Sequence, residues 1–396
     1  MKIEKVGTRY GIMTIPVSDA VLGPSLRLYG EWAQDELDGL TILLKDGDVV
    51  IDAGANIGTH TLGLASAVSP KGRVYSFEPQ TKIFELLRQN CDTSNFASNI
   101  LAYCNPLSSV DGQKFAIPIL DEISIHNFGA TQLSAIKHEN TSSYNSSGSM
   151  TIDGLHLDSC RLIKIDVEGM ELEVLNGAVS LIKKHKPLIF FEANTILDTW
   201  GIIQKIAPLG RYSARVVISN AFSKNNFNNN QQNIFSDFQE ASVILFSEEE
   251  DALVGTAFNN SIRVSNYREL AIALAMLCRR PPGHPLADLT TCTDEIEKIY
   301  NQNFDGLSVS ILQELIYQKN TRIQENVALT QENLALTQEN LALTQKNVAL
   351  TQELTRLRDA NSALFDHLQR YQMHPVIRIM RKARAMIVSF IHSEKH

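Results

Sequence analysis

The stretch Val49-Val50-Ile51-Asp52-Ala53-Gly54-Ala55-Asn56-Ile57-Gly58 constrains this chain more than any other part of it. Three β-branched residues in a row predict a short buried strand, and the glycines then turn the chain directly into a helical stretch at 58–68. Such a junction is expected to present backbone N–H groups at the carboxyl edge of a sheet, where a glycine lets a ligand approach without meeting a Cβ. Asp46-Gly47-Asp48 reads as the turn that precedes the strand. The same alternation continues downstream: apolar strands at 74–77, 99–103, 162–165 and 188–191, with helical stretches at 82–90 and 168–184. Strands separated by helices predict an α/β fold with a parallel sheet and crossover helices.

Around this centre the chain divides into five parts. Residues 1–48 form an N-terminal segment with a helix at 24–44, where Leu28, Trp32, Leu37, Leu40 and Leu44 recur at helical spacing. Residues 49–250 hold the sheet domain. Within it, β-rich stretches at 214–219 and 241–246 flank the asparagine-rich 220–233 and predict an antiparallel hairpin at one sheet edge. The polar stretch 138–149 reads as a mobile surface insertion. Residues 251–318 read as a helical extension, clearest at 269–279 and 294–300, with a break at Pro281-Pro282-Gly283. At 319–371 a seven-residue repeat places Asn326, Asn333, Asn340 and Asn347 on one seam, each followed three residues later by a leucine. That period predicts a left-handed coiled coil and a homo-oligomer built through it, with Leu334 and Leu341 forming a competing row. Residues 372–396 form a basic amphipathic tail: from Arg370 onward six basic residues face one acidic residue, Glu394.

Charge and cysteine content narrow the class. A net charge of −8 over 396 residues argues against a general nucleic-acid binder. The start of the chain lacks a secretory apolar stretch, and no apolar run approaches the roughly 20 residues that span a bilayer. Cys91, Cys104, Cys160, Cys278 and Cys292 are scattered, without disulfide or zinc spacing, so a reduced cytoplasmic protein is expected. The tail can lie on the inner face of an anionic membrane or pack on protein.

The acids that carry chemistry fall at strand ends. The Asp-x-Gly-x-x-x-Gly spacing of Asp52, Gly54 and Gly58 differs from the Gly-x-Gly-x-x-Gly of dinucleotide sites, which favours a nucleoside ligand without a pyrophosphate. Asp52 at the turn would repel a phosphate and hold an α-ammonium group. Glu78 closes the next strand, in Tyr75-Ser76-Phe77-Glu78-Pro79, where a carboxylate can accept ribose hydroxyls. Asp166 and Glu168 follow strand 162–165, with capping of the next helix as their alternative role. Glu192 ends strand 188–191 in the same way.

These motifs resemble the FkbM family of methyltransferases. The resemblance runs through Val50–Thr61, Phe77-Glu78-Pro79-Gln80, Asn127-Phe128-Gly129, Ile163-Lys164-Ile165-Asp166-Val167-Glu168-Gly169 and Val174-Leu175-Asn176-Gly177-Ala178, and covers residues 11–246. It implies a class I methyltransferase, Rossmann-like sheet of seven strands, with S-adenosylmethionine as methyl donor. Asp52, Gly54, Ala55, Asn56 and Gly58 would form the cofactor loop, Glu78 the ribose acid, and Asn105 an adenine contact. Related sequences often read Glu-Asn-Asp where this chain has Glu192-Ala193-Asn194, so the acceptor contacts differ.

The expected activity is O-methylation of a sugar hydroxyl in a glycan or glycolipid. A hydroxyl is a poor nucleophile, so a carboxylate in hydrogen-bond reach is expected to take its proton: Asp166 first, then Glu192 or Glu168. His60 and His126 are outside candidates; a divalent metal held by Asp166 and its neighbours could instead lower the hydroxyl's pKa, but no histidine-rich ligand spacing supports it and no metal site is assigned. The competing readings are a nicotinamide-dependent oxidoreductase and a non-catalytic coiled-coil scaffold that retains a cofactor fold.

Overall fold

A computed structural model describes residues 1–118, 134–135, 144–236, 238–277, 346, 355–360, 362–363, 366, 370 and 375–393. Residues Met1–Leu307 and Ser308–His396 form separate compact units. In the first unit the core is an eight-stranded sheet in the order β13-β11-β12-β10-β9-β3-β4-β5. Its strands are β3 (Val49–Ala53), β4 (Arg73–Phe77), β5 (Ile100–Tyr103), β9 (Leu162–Ile165), β10 (Leu188–Glu192), β11 (Tyr212–Asn220), β12 (Gln239–Ser247) and β13 (Ile262–Val264). Strands β5, β4, β3, β9 and β10 are mutually parallel, β12 runs against β10, and β11 and β13 each reverse again. The expected seven strands are present. The eighth, β13, comes from the region expected to be helical and covers the edge that the hairpin was expected to form, so that β11 too lies inside the sheet. The hairpin itself forms, with Val216 opposite Val243.

Alternation along each strand sorts side chains to two faces. Val50, Leu162, Leu188 and Phe190 face α2 (Gln34–Ile42) and α3 (Thr59–Val68), while Ile51, Ile163, Ile165 and Phe191 face α5 (Glu171–Asn176), α6 (Val179–His185) and α7 (Ile196–Gly210). Helix α4 (Thr81–Asp92) packs on a hairpin that the sequence did not suggest, β1 (Ile3–Thr8) with β2 (Gly11–Pro16).

Two expected helices are broken, each for a local reason. The one at 24–44 is α1 (Leu22–Tyr29) followed by α2, because Gly30 takes a left-handed conformation (φ 69°) and its N–H caps Leu26. The one at 168–184 is α5 followed by α6. Asp153, from a distant loop, accepts the Ser180 and Leu181 N–H groups and so starts α6 afresh. In the stretch expected to be a surface insertion, β8 (Tyr144–Gly148) pairs with β6 (Lys114–Pro118), which also pairs with β7 (Ser134–Ala135). After β12 come α8 (Asp251–Ala257) and α9 (Tyr267–Leu277), the latter where 269–279 was expected to be helical.

The second unit is helical at each described residue, including Pro375–Ser393. Most of the heptad repeat, His126, Asn127–Gly129, the 281–283 break, the 294–300 helix, Cys278 and Cys292 lie outside the described residues. Among the described cysteines, Cys91, Cys104 and Cys160 are free. Among the described residues, no helix is long and apolar enough to cross a membrane.

Candidate active site

Strand order reverses between β3 and β9, so the loops leaving their carboxyl ends diverge and open a crevice between them. A cleft lies there, walled by Gly54, Asn56, Phe77, Glu78, Asn105, Leu107, Asp166, Glu168 and Met170 among others. Of the residues expected at a cofactor site, Gly54, Asn56, Glu78 and Asn105 line it. Asp52, Ala55 and Gly58 do not.

The glycine turn works differently from the expectation that it offers N–H groups to a ligand. Gly54 and Ala55 both donate to the Phe77 carbonyl (2.9 Å each), Asn56 donates to Glu78 Oε2 (3.1 Å), and Ile57 donates to Asn56 Oδ1 (2.8 Å). These N–H groups are consumed in closing the turn against β4. What Gly54 supplies is space: it sits at φ 83°, directly against the Asp166 backbone. Gly58, at φ 99°, starts α3 and packs near Leu87, and Ala55 is buried against Leu87 and Cys91. Both are structural.

Glu78 reaches the cleft although it is only 4% exposed. Its Oε1 accepts the Gln80 N–H (2.8 Å) and its Oε2 that of Asn56. Burial raises its carboxyl to about 7 against these hydrogen bonds, which favour the ionised form. Each carboxylate oxygen has further lone pairs, so a vicinal diol can still donate to it. Asn105 lines the cleft, but its amide Nδ2 donates to the Gly148 carbonyl (2.8 Å), which leaves its oxygen for a ligand donor.

Asp52 is the main correction. It is fully buried, its Oδ2 accepts the Thr61 hydroxyl (2.6 Å), and its Oδ1 lies 3.7 Å from Lys164 Nζ. It cannot hold an ammonium group of a ligand in the cleft. The lysine is the residue that the sequence reading passed over. Its signal was a lone charge inside the apolar strand Leu162-Ile163-Lys164-Ile165, where a buried ammonium demands acidic partners. Glu36, on α2, is buried in the same cluster and its carboxyl is raised to about 8, mainly by burial and by Glu240. His60 Nε2 stands 3.8 Å from Glu36, and burial and then Lys164 hold the imidazole well below its usual value. His60 is therefore a neutral core residue.

Asp166 rises from this cluster into the cleft, its side chain 44% exposed. Carboxylate oxygens of Asp166, Glu168 and Glu192 lie within 4.8 Å of one another, so the three expected proton acceptors share one place. The same oxygens are within reach of a single divalent cation. Glu168 takes a left-handed backbone (φ 50°) in the loop before α5. Helix α5 starts after Met170 without a side-chain cap, and Glu171 Oε1 accepts the Gly169 N–H (3.0 Å) and the Asn194 amide (3.2 Å).

The cleft fits a nucleoside-type donor on two counts. A buried carboxylate stands at Glu78, and apolar surface at Phe77, Pro79, Leu107 and Met170.

Residues 52–217 match the family described as the methyltransferase FkbM domain. A hexuronic acid methyltransferase, AglP of Haloferax volcanii, is 32% identical over 160 residues, which are 37% of this chain and 58% of that protein. The chain thus spans little more than half of that relative's length. Among solved structures, the methyltransferase FkbM from Methylobacillus flagellatus KT is 22% identical, covering 51% of this chain and 44% of its own, with a TM-score of 0.34. An O-methyltransferase from Bacillus cereus, in complex with SAH, is 13% identical, covering 53% and 78%, with a TM-score of 0.31.

Proposed function

We propose that this chain, whose residues 52–217 form a methyltransferase FkbM domain, is an S-adenosylmethionine-dependent enzyme that methylates a hydroxyl of a sugar in a glycan or glycolipid. The observation that carries this reading is the convergence of Gly54, Glu78 and Asp166 on one cleft at the reversal point of the sheet. The likeness to a hexuronic acid methyltransferase supports a sugar as acceptor.

When bound, S-adenosylmethionine supplies a methyl group already activated on a sulfonium. What the protein contributes is alignment, exclusion of water and a proton acceptor. Glu78, held in place by the Asn56 and Gln80 N–H groups, would hold the ribose hydroxyls. Phe77, Pro79 and Leu107 form the apolar wall beside it, and Met170 lines the cleft near Asp166. Asp166 takes the proton of the sugar hydroxyl as the hydroxyl oxygen receives the methyl group, and becomes neutral, with the Glu168 and Glu192 carboxylates beside it.

The test is transfer of a labelled methyl group from S-adenosylmethionine to methyl glucuronide and methyl glucoside, with calorimetry against S-adenosylhomocysteine and NAD. An O-methyl sugar and binding of S-adenosylhomocysteine alone are expected. Binding of NAD in its place would make the chain an oxidoreductase. Binding of S-adenosylhomocysteine without transfer to either sugar, together with unchanged surface glycans in a deletion strain, would remove the sugar acceptor.

A further inference from the structure

The sheet register sets Lys164 opposite Asp52 on one side and Phe190 on the other, on the face that carries Val50, Leu162 and Leu188. Along that row Asp52 is followed by Ser76, and Phe190 by Ile244. An ammonium there loses its hydration, which costs several kcal/mol unless acidic partners replace the water. Lys164 is 4% exposed, and its Nζ lies 3.2 Å from Asp166 Oδ2 and 3.7 Å from Asp52 Oδ1.

These partners differ in kind. Asp52 is buried and anchored by Thr61 of α3, whereas Asp166 stands half-exposed in the cleft. A half-exposed aspartate at a strand end ordinarily samples several rotamers. Here one oxygen is tied to a lysine that is itself fixed by packing, while Oδ1 of Asp166 has no hydrogen bond from any described residue. The cluster thus transmits the rigidity of the sheet core to one carboxylate oxygen at the mouth.

We propose that Lys164 is a positioning residue: tethered below by Asp52 and Thr61, its ammonium holds the Asp166 carboxylate in the orientation that accepts the acceptor's proton. The role assigned to Asp166 rests on the function proposed above; the tether does not. Burial alone would lower the lysine's pKa, but Asp166, Asp52 and Glu36 outweigh it and hold the value above its ordinary one, so the tether stays charged. Glu36 and His60, the other titratable groups facing it, leave this unchanged: the lysine's field itself opposes protonation of His60.

The test uses the full chain. Lys164→Met is made in an Asp52→Asn background, so that the Asp52 carboxylate is not left buried without its partner, and both proteins are crystallised with S-adenosylhomocysteine. The Asp166 carboxylate is expected to move by more than about 1 Å, enough to spoil alignment. S-adenosylhomocysteine affinity should stay within about threefold by calorimetry, as expected for a residue that acts on the acceptor side only. An Asp166 carboxylate that keeps its place overturns the inference, and this readout needs no acceptor.

A double-mutant cycle with methyl glucuronide adds the kinetic readout. Lys164→Met should lower kcat at least about tenfold when Asp166 is present and less than about twofold in Asp166→Asn, because the two act as one unit. Equal losses in both backgrounds would mean that the lysine only supports the fold. Lys164→Arg, which keeps the charge, should recover part of the loss. Full turnover by Asp166→Asn would sink the base assignment while leaving the crystallographic result standing.

Discussion

Gly54 and Asp166 meet backbone to backbone: a Cβ on Gly54 would run into the carbonyl oxygen of Asp166, whose own N–H donates to Ala53 (2.9 Å). Two loops that diverge at the sheet's reversal point are thus pinned at their base, and the cleft begins where they part. Gly54→Ala is expected to force this contact open. The left-handed backbone adds about 1–2 kcal/mol to the overlap. Calorimetry should show S-adenosylhomocysteine affinity falling at least about tenfold, a loss of about 1.4 kcal/mol. Normal affinity in this variant would place the donor elsewhere.

Glu78 makes donor binding depend on pH. Its carboxyl sits at about 7 before the donor binds, and the ionised form is the better acceptor for ribose hydroxyls. Affinity for S-adenosylhomocysteine should therefore be highest above pH 8 and fall as pH drops below 7, by at most about tenfold per unit. Glu78→Gln should bind more weakly and lose this slope. A slope that survives the substitution would assign it to another group.

The stability of the ligand-free protein should decline as pH rises from neutrality. Glu36 and Glu78 have folded-state values raised to about 8 and about 7, above the 4.5 of an ordinary glutamate. Each therefore contributes stability that is complete below that ordinary value and lost as pH climbs through the folded one. His60 acts with the opposite sign, since its folded value is depressed, but only at and below its ordinary value of 6.5. Between pH 7 and 8.5 the two glutamates dominate. Thermal melting over that window should show a falling Tm that flattens in Glu36→Gln. A rising Tm would contradict the burial of these acids.

The helix Pro375–Ser393 carries Arg378, Arg381, Lys382 and Arg384 and no acidic residue, and Val376, Ile379, Met380 and Met386 are exposed on it. A basic amphipathic helix binds anionic bilayers through charge and buried apolar area together. The full chain is expected to float with phosphatidylglycerol vesicles more than with phosphatidylcholine vesicles, and to lose this on removal of 372–396. Equal recovery after truncation would leave packing on protein as the role of the tail.

How much was legible beforehand follows from the range of the interactions involved. Strand 49–51, the turn at Gly54 and the acids Glu78 and Asp166 at strand ends could be read directly. β-branching, glycine and strand-to-helix alternation act within a few residues, and a parallel sheet brings all such ends to one edge. The direction in which Asp52 points could not be read, because its neighbours in space, Lys164 and Thr61, come from another strand and from a helix. The same holds for the break between α5 and α6, set by Asp153 on a distant loop, and for β13, an edge strand whose pairing with β11 outweighs its short and partly polar sequence. Local pattern determined the central strands, the glycine turn and their order along the chain. Register and long-range partners decided which of the acids reach the cleft and which are spent beneath it, since a side chain's environment is made by residues remote in the chain.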